Sequence, residues 1–275
     1  MTWAIIAAIL LVILLSYLFQ VAPYFMKRKR DYSPFKTWAF AHRGLHDEKK
    51  GIPENSLAAF AKAKEKGYGI ELDVFLTSDQ QLVVHHDRSL KRICGTDRNI
   101  DQMTLDEVKA FFLSGTDEKI PTLDEVLSLI DGKIPMIIEM KSDRGKMARA
   151  LPPILHERMQ RYHGPYCVES FDPYMLQWYK KHAPQVIRGQ LCLDQRRMEG
   201  KYESLFMFFY SHMPMNLLSR PDFLAYEYHS RKNFTFRLVC WLFRPLLAAW
   251  TVRDQETCDQ MKAIYDWQIF EGFEP

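Results

Sequence analysis

Two apolar stretches carry charged residues at alternate positions. Glu71 and Asp73 are two residues apart in one stretch, and Glu139 and Lys141 in another. Residues two apart in a β-strand face the same side, so each pair shares one face. Carboxylates buried together are unfavourable unless a cation compensates them. Oxygen donors favour Mg²⁺ or Ca²⁺ over zinc, so the pattern predicts one divalent cation. A solvated strand or an Arg–carboxylate network is the alternative.

Two histidines stand at the ends of other apolar stretches. His42 precedes Arg43 and Gly44, and His86 follows His85. Imidazole exchanges protons near neutral pH, so two histidines can act as general base and general acid, one neutral and one charged. The planar guanidinium of Arg43 suits phosphate oxygens, and Gly44 permits a close backbone approach there. His85 alternates to the face opposite His86, and we expect it to be structural.

These residues must be positioned by an alternation of strands and helices. Two helices begin with capping boxes, at Thr104 to Glu107 and Thr122 to Glu125, and another covers Ser56 to Lys66. Eight strands separated mostly by helical patterns predict an α/β fold, a (β/α)8 TIM barrel. The predicted strands are Trp38–His42, Gly69–Phe75, Pro135–Lys141, Pro165–Ser170, Val186–Leu193, Phe223–Tyr228, Leu247–Val252 and Trp267–Glu271.

A ninth apolar run breaks this alternation. Residues 82–86 follow the second strand after only residues 77–81. Five residues are too few for the crossover helix that a parallel neighbour requires. The run is therefore predicted to be the return arm of a hairpin across the barrel mouth.

The first 26 residues carry no charged side chain, and residues 3–15 are almost continuously apolar. A helix of this length can cross a bilayer core of about 30 Å. A cleaved signal peptide is the alternative, but no basic residue precedes the apolar run and no small-residue cleavage site follows it. We expect a transmembrane helix at 1–26, a basic tether at 27–36 and a catalytic domain at 37–275.

The charge that follows this helix predicts the orientation of the chain. The net charge is +3, from 37 basic and 34 acidic residues, and four of the basic ones are Lys27, Arg28, Lys29 and Arg30. The positive-inside rule then places a single-pass protein in the cell membrane with its catalytic domain in the cytoplasm, and the cluster beside anionic headgroups. Five scattered cysteines fit a reducing compartment. The basic excess is local, so nucleic acid is not an expected partner.

The motifs together resemble those of the glycerophosphodiester phosphodiesterases, a family of TIM barrels, over residues 38 to 271. The matching segments are His42-Arg43-Gly44, Pro53-Glu54-Asn55, Glu71-Leu72-Asp73-Val74, Val83 to Asp87 with Leu90 and Arg92, Ile138 to Lys141, Ser170 to Pro173, and Trp250-Thr251-Val252. The resemblance implies metal ligands at Glu71, Asp73 and Glu139, an acid–base pair at His42 and His86, and phosphate binding by Arg43 and Lys141. It also implies that Glu54 and Asn55 organise the first βα turn.

The resemblance further implies hydrolysis of a glycerophosphodiester to glycerol 3-phosphate and an alcohol. A lysophospholipase D using the same site on lysophospholipids, or a non-catalytic membrane-tethered module, are the alternatives. Residues 202–247 are rich in aromatic residues and methionine, and either pack outer helices or form an apolar rim for a lipid chain. Glu271 stands where the family commonly has an aspartate, and its role is open.

Overall fold

A closed barrel of parallel strands forms the body of the protein. The computed structural model describes residues 2–24, 30–35, 39–141 and 146–275. Its strands are β1 Ala39–His42, β2 Gly69–Leu76, β3 Leu82–Val84, β4 Met136–Met140, β5 Tyr166–Ser170, β6 Arg188–Cys192, β7 Phe223–Glu227, β8 Leu246–Val252 and β9 Trp267–Phe270. The parallel strands follow one another around the barrel, and β1 pairs with both β2 and β9. The predicted TIM barrel is confirmed, with all eight predicted strands within a few residues of their observed ends.

The remaining strand, β3, runs antiparallel to β2, with Val74 opposite Val84. The turn between them holds Thr77, whose hydroxyl accepts a hydrogen bond from the backbone N–H of Gln81 at 2.9 Å. The predicted hairpin is therefore confirmed, and it carries His86 back towards the end of the barrel where the parallel strands terminate.

Helices cover the outside of the barrel. They are α1 Thr2–Val21, α2 Leu57–Lys66, α3 Lys91–Cys94, α4 Leu105–Val108, α5 Leu123–Ile130, α6 Lys146–Met159, α7 Pro173–His182, α8 Gln195–Glu199, α9 Leu205–Ser211, α10 Asn216–Ser219, α11 Phe234–Phe243 and α12 Gln255–Lys262, with 3₁₀ turns at Glu48–Lys50, Ile100–Gln102 and Tyr228–Lys232. Ser56 caps α2, and both predicted capping boxes are present at the starts of α4 and α5.

Aromatic side chains close the end of the barrel at which the parallel strands begin. Phe40, Phe223 and Trp267 are buried there, and Phe35 packs against Phe40 and Trp267. Gly189 faces this layer, since a Cβ on it would lie 2.1 Å from the Phe223 ring. Phe35 belongs to the predicted tether, so part of that segment packs under the barrel; Lys27, Arg28 and Lys29 lie outside the described residues.

The first fifteen residues of α1 are exposed, whereas its end packs on the barrel. The Tyr17 hydroxyl is hydrogen-bonded to the Thr235 hydroxyl, and Asn216 donates to the carbonyl of Val21 at 2.8 Å. Of the helices in the described residues, α1 alone is long and apolar enough to cross a membrane.

Candidate active site

The predicted site residues meet at the end of the barrel where the parallel strands terminate. They come from β1 and the turn after it, from β2, from the hairpin and from β4 with the residue that follows it. A cavity of about 180 Å³ is lined by His42, Arg43, Glu71, His86, Glu139 and Lys141. Asp73 is fully buried beside it, opposite Glu139 on the neighbouring strand. The structure thus brings all seven residues together.

The centre of the site is a cluster of three buried carboxylates. One oxygen each from Glu71, Asp73 and Glu139 lies within 4.8 Å of the others. The ammonium of Lys141 bridges two of them, at 2.9 Å from Asp73 Oδ1 and 2.8 Å from Glu139 Oε1. Glu71 Oε2 accepts a hydrogen bond from the backbone N–H of Arg43 at 3.1 Å. The cluster holds more acidic groups than the single ammonium between them can balance.

The pKa values of the cluster reflect this crowding. Burial, opposed by Lys141, raises the pKa of Glu139 to about 7. Burial also raises the pKa of Glu71 well above its ordinary value, and the charges of Asp73 and Glu139 raise it further. For Asp73 the effect of burial is outweighed by nearby positive charge, above all that of Lys141, and its pKa lies well below the ordinary value. Two of the three carboxyls therefore resist ionisation without a further cation.

The donor set fits a hard divalent cation. Three carboxylates converge from adjacent strands, all are buried, and all offer oxygen. Mg²⁺ and Ca²⁺ both prefer such ligands, and the arrangement does not distinguish between them. Such a cation would supply the positive charge that Glu71 and Glu139 lack.

The two histidines approach the cluster from different sides. His42 Nδ1 lies 2.9 Å from Glu271 Oε2, and His42 Nε2 lies 4.0 Å from Glu71 Oε2. His86 Nδ1 lies 2.7 Å from Asp87 Oδ1. Each imidazole therefore has a carboxylate behind one nitrogen and leaves the other nitrogen available to a ligand.

Burial favours the neutral form of both imidazoles. It lowers the pKa of His86 to about 4. It also lowers the pKa of His42, although the hydrogen bond that His42 donates to the Glu271 carboxylate opposes the effect. The sequence predicts one neutral and one charged histidine; in this structure neither is favoured as a cation. An anionic phosphodiester in the cavity would raise both pKa values, because opposite charges favour the protonated ring.

A network of ion pairs ties the hairpin insertion to the first βα turn. Glu54 accepts from Arg43 Nη1 at 2.8 Å and from both terminal nitrogens of Arg92 at 3.0 and 2.7 Å. Arg92 Nε also donates to Asp87 at 2.6 Å. Asn55 donates to Asp73 at 2.8 Å. Glu54 and Asn55 thus link the first βα turn to the hairpin and to Asp73, which agrees with the organising role that the resemblance implies for them.

Gly44 is required by its packing on α2. Its φ is +81°, and a Cβ would lie 2.8 Å from Ala59 Cβ. The close approach to α2 therefore requires glycine here, while the predicted approach of a phosphate to this backbone stays a prediction.

Three features of the site were not assigned a role from the sequence. Glu271 holds His42, as described above. Glu169 is buried, lines the cavity and lies opposite Glu139 in the sheet register. The rings of Phe171 and Trp250 form an edge-to-face pair on the cavity wall, 5.6 Å apart. The inward position of Glu169 follows from the period-two pattern of β5, but its approach to Glu139 depends on the pairing of β4 with β5.

Comparison with known proteins gives consistent matches. The model of the glycerophosphoryl diester phosphodiesterase family matches residues 42–269. A glycerophosphodiester phosphodiesterase of Caldanaerobacter subterraneus is 38% identical over 170 residues, which are 57% of this chain and 67% of that protein. The crystal structure of a glycerophosphodiester phosphodiesterase from Thermotoga maritima aligns with a TM-score of 0.64 at 29% identity, covering 84% of this chain and 93% of that one. A human lysophospholipase D is 29% identical over 49% of this chain and 46% of its own length.

Proposed function

The chain belongs to the glycerophosphoryl diester phosphodiesterase family and is an enzyme, and we propose that it hydrolyses glycerophosphodiesters to glycerol 3-phosphate and an alcohol with a divalent cation bound by Glu71, Asp73 and Glu139. One observation carries the proposal. Two histidines and three carboxylates, from separate elements of the barrel, meet at one cavity of about 180 Å³.

The cation, when bound, stabilises negative charge that develops on the phosphoryl oxygens. The cationic side chains of Arg43 and Lys141 border the same cavity and would hold the phosphate. In this structure both are engaged with carboxylates, at 3.4 Å between Arg43 Nε and Asp73 and 2.9 Å between Lys141 Nζ and Asp73. They are therefore pre-positioned by Asp73, and at low conformational cost.

The histidines carry the proton transfers. One imidazole accepts the proton of the attacking hydroxyl, from water or from the neighbouring glycerol hydroxyl, as its oxygen bonds to phosphorus. The other donates a proton to the alcohol oxygen as the bond from phosphorus to that oxygen breaks. Attack by the glycerol hydroxyl leaves a cyclic phosphodiester, and water then opens that ring to glycerol 3-phosphate, with the two histidines in exchanged roles. The carboxylates of Glu271 and Asp87 support these roles, since each holds Nδ1 of one histidine.

The test is a panel of glycerophosphocholine, glycerophosphoethanolamine and lysophosphatidylcholine, assayed with and without EDTA. We expect release of glycerol 3-phosphate from the first two, loss of activity in EDTA, and recovery with Mg²⁺ or Ca²⁺. Activity that survives complete chelation would contradict the metal assignment.

We also propose that α1 anchors the barrel in the cell membrane, with the barrel in the cytoplasm. The helix has twenty residues without charge, and at about 1.5 Å per residue it reaches about 30 Å. The basic cluster at Lys27, Arg28, Lys29 and Arg30 follows it, and by the positive-inside rule it places the barrel on the cytoplasmic side. Arg30 pairs with Asp222, which precedes β7 at the end of the barrel opposite the cavity, so its contact with headgroups is not proposed.

Lysophospholipase D activity is the second candidate. It is supported by the human relative of that name and by exposed apolar side chains on α9, beside the cavity. Hydrolysis of lysophosphatidylcholine to choline in the panel would establish it. The non-catalytic tethered module expected as an alternative is set aside, because the family model and the relatives that this chain matches are those of an enzyme.

A further inference from the structure

We infer that the cavity end of the barrel faces the lipid bilayer, with an apolar rim on α9 and α11 inserted into the interface. The rim consists of Leu205, Phe208, Phe209 and Phe234. The inference rests on the anchoring role proposed for α1, and adds to it the direction in which the catalytic cavity opens.

The first argument is the direction of α1 relative to the barrel. Helix α11 follows β7, so it begins at the cavity end of the barrel and runs back towards the opposite end. Tyr17 bonds to Thr235 near the start of α11, and Tyr24 donates to the carbonyl of Phe243 at its end, at 2.8 Å. The end of α1 and the residues after it thus run in the same sense as α11. The exposed residues before Tyr17 therefore project beyond the cavity end.

The second argument is the length of the exposed part of α1. Residues 2–16 are exposed, and fifteen helical residues extend only about 22 Å. The hydrocarbon core of a bilayer is about 30 Å thick, and any tilt makes the helix shorter along the normal. Helix α1 reaches about 30 Å only as a whole, with residues 17–21 included, and Tyr17 and Val21 contact α11 and α10. The barrel surface beside residues 17–21 therefore lies at the interface between the bilayer and the cytoplasm.

The third argument is the character of the surface at that level. Leu205 is 71% exposed and Phe234 is 72% exposed. Phe208 and Phe209, on the same helix as Leu205, are exposed as well. Phe234 precedes Thr235, the partner of Tyr17. Helix α9 is fixed to the cavity wall, since Tyr210 donates to the carbonyl of Leu191 at 2.6 Å. Large apolar side chains held outward at the edge of a cavity are typical of surfaces that enter a membrane interface.

Basic side chains surround this apolar rim. Helix α8 with the loop after it, and the 3₁₀ turn after β7, carry the exposed residues Arg196, Arg197, Lys201 and Lys232 and the half-buried Arg231, all at the cavity end. Glu199 and Glu203 are the acidic residues interspersed between positions 195 and 203. An apolar centre within a basic border matches an interface in which acyl chains lie beneath anionic headgroups.

The test places a benzophenone amino acid at position 209 or at position 264 of the otherwise native full-length chain. Phe209 and Ile264 are each 48% exposed, but Ile264 precedes β9 and so lies at the opposite end of the barrel. The protein is incorporated into nanodiscs of phosphatidylcholine and phosphatidylglycerol, and lipid adducts are measured after irradiation. We expect adducts at 209, and on the order of tenfold fewer at 264.

A second variant tests the energetic role of the rim. With the benzophenone at position 205, the changes Phe208→Ser and Phe209→Ser should lower the adduct yield about tenfold, whereas Ile264→Ser should not. Equal adducts at 209 and 264, or more at 264, would overturn the inference. Failure to enter nanodiscs would overturn the anchor as well. Hydrolysis of soluble glycerophosphocholine by the same samples reports on the proposed function separately, and should be unchanged in every variant.

Discussion

Replacing Glu271 by glutamine should impair catalysis by acting on His42. The carboxylate contacts His42 Nδ1 at 2.9 Å and is itself 24% exposed. Its pKa is lowered from 4.5 to about 2, chiefly by the hydrogen bond with His42, with smaller contributions from Arg253 and His46. A difference of this size corresponds to about 3 kcal/mol. Solvent screening and the other two partners reduce the share of His42 to about 1–2 kcal/mol.

The same free energy acts on the histidine, because the interaction is reciprocal. A carboxylate favours the imidazolium, so Glu271→Gln should lower the pKa of His42 further. Loss of the fixed ring orientation adds to this effect, and we expect kcat/KM to fall about 10- to 100-fold. The limb of the pH–rate profile that His42 controls should move to lower pH.

The assay is kcat/KM on glycerophosphocholine from pH 5 to 9, with saturating divalent cation. Glu274→Gln is the matched control, because Glu274 lies three residues further on and pairs with Lys66 at 3.1 Å, away from the site. Glu271→Asp should recover part of the activity. If Glu271→Gln retains more than half of the wild-type kcat/KM with an unmoved profile, the carboxylate does not position His42.

Four other outcomes are expected. Since the pKa of Glu139 is raised to about 7, the folded state binds more protons than the unfolded state between about pH 4.5 and 7. The cation-free protein should lose stability as pH rises through that range, and Mg²⁺ or Ca²⁺ should raise Tm more at pH 8 than at pH 5; an equal rise would argue against the site. Glu71→Gln should leave Tm at pH 8 unchanged or higher while lowering kcat/KM by on the order of 10³ or more; a folded variant with a tenth of normal activity would refute its role as a ligand. His42→Ala and His86→Ala should each lower kcat/KM about 10²–10⁴-fold. A nitrophenyl phosphodiester, whose leaving group needs no proton, should restore the activity of only the variant that has lost the general acid. His85→Ala, compared at an equal folded fraction, is the control. Protease added outside intact cells should spare the barrel. Digestion of the barrel by that protease would contradict the orientation proposed for α1.

The barrel was predictable because its signals are local. Each parallel strand is an apolar stretch, and both capping boxes are short patterns that form within one helical turn. The hairpin followed from loop length alone. The carboxylate cluster was also predictable, since Glu71 and Asp73 share one strand face and Glu139 and Lys141 share another.

Contacts between distant segments could not be read in the same way. Glu271 and His42 meet because β9 pairs with β1, and nothing in either segment alone specifies that approach. The neutral state of His86 depends on how deeply the hairpin buries it. The glycine requirement at Gly44 comes from the position of Ala59 on α2, which lies fifteen positions along the chain. Such features arise only after the elements have packed.

The shared use of Glu54 by two arginines has a consequence for how this barrel can be recombined. Arg43 belongs to the first βα turn and Arg92 to the insertion that carries His86, and one carboxylate joins them. Exchanging the insertion for one without Arg92 would leave the buried carboxylate of Glu54 with Arg43 as its remaining arginine partner. The first turn and the segment from the hairpin to Arg92 must therefore be exchanged together, although thirty-eight positions separate Glu54 from Arg92. Directed-evolution libraries that exchange loops should cross over outside this unit, since crossovers within it separate the first turn, next to His42, from the insertion that carries His86.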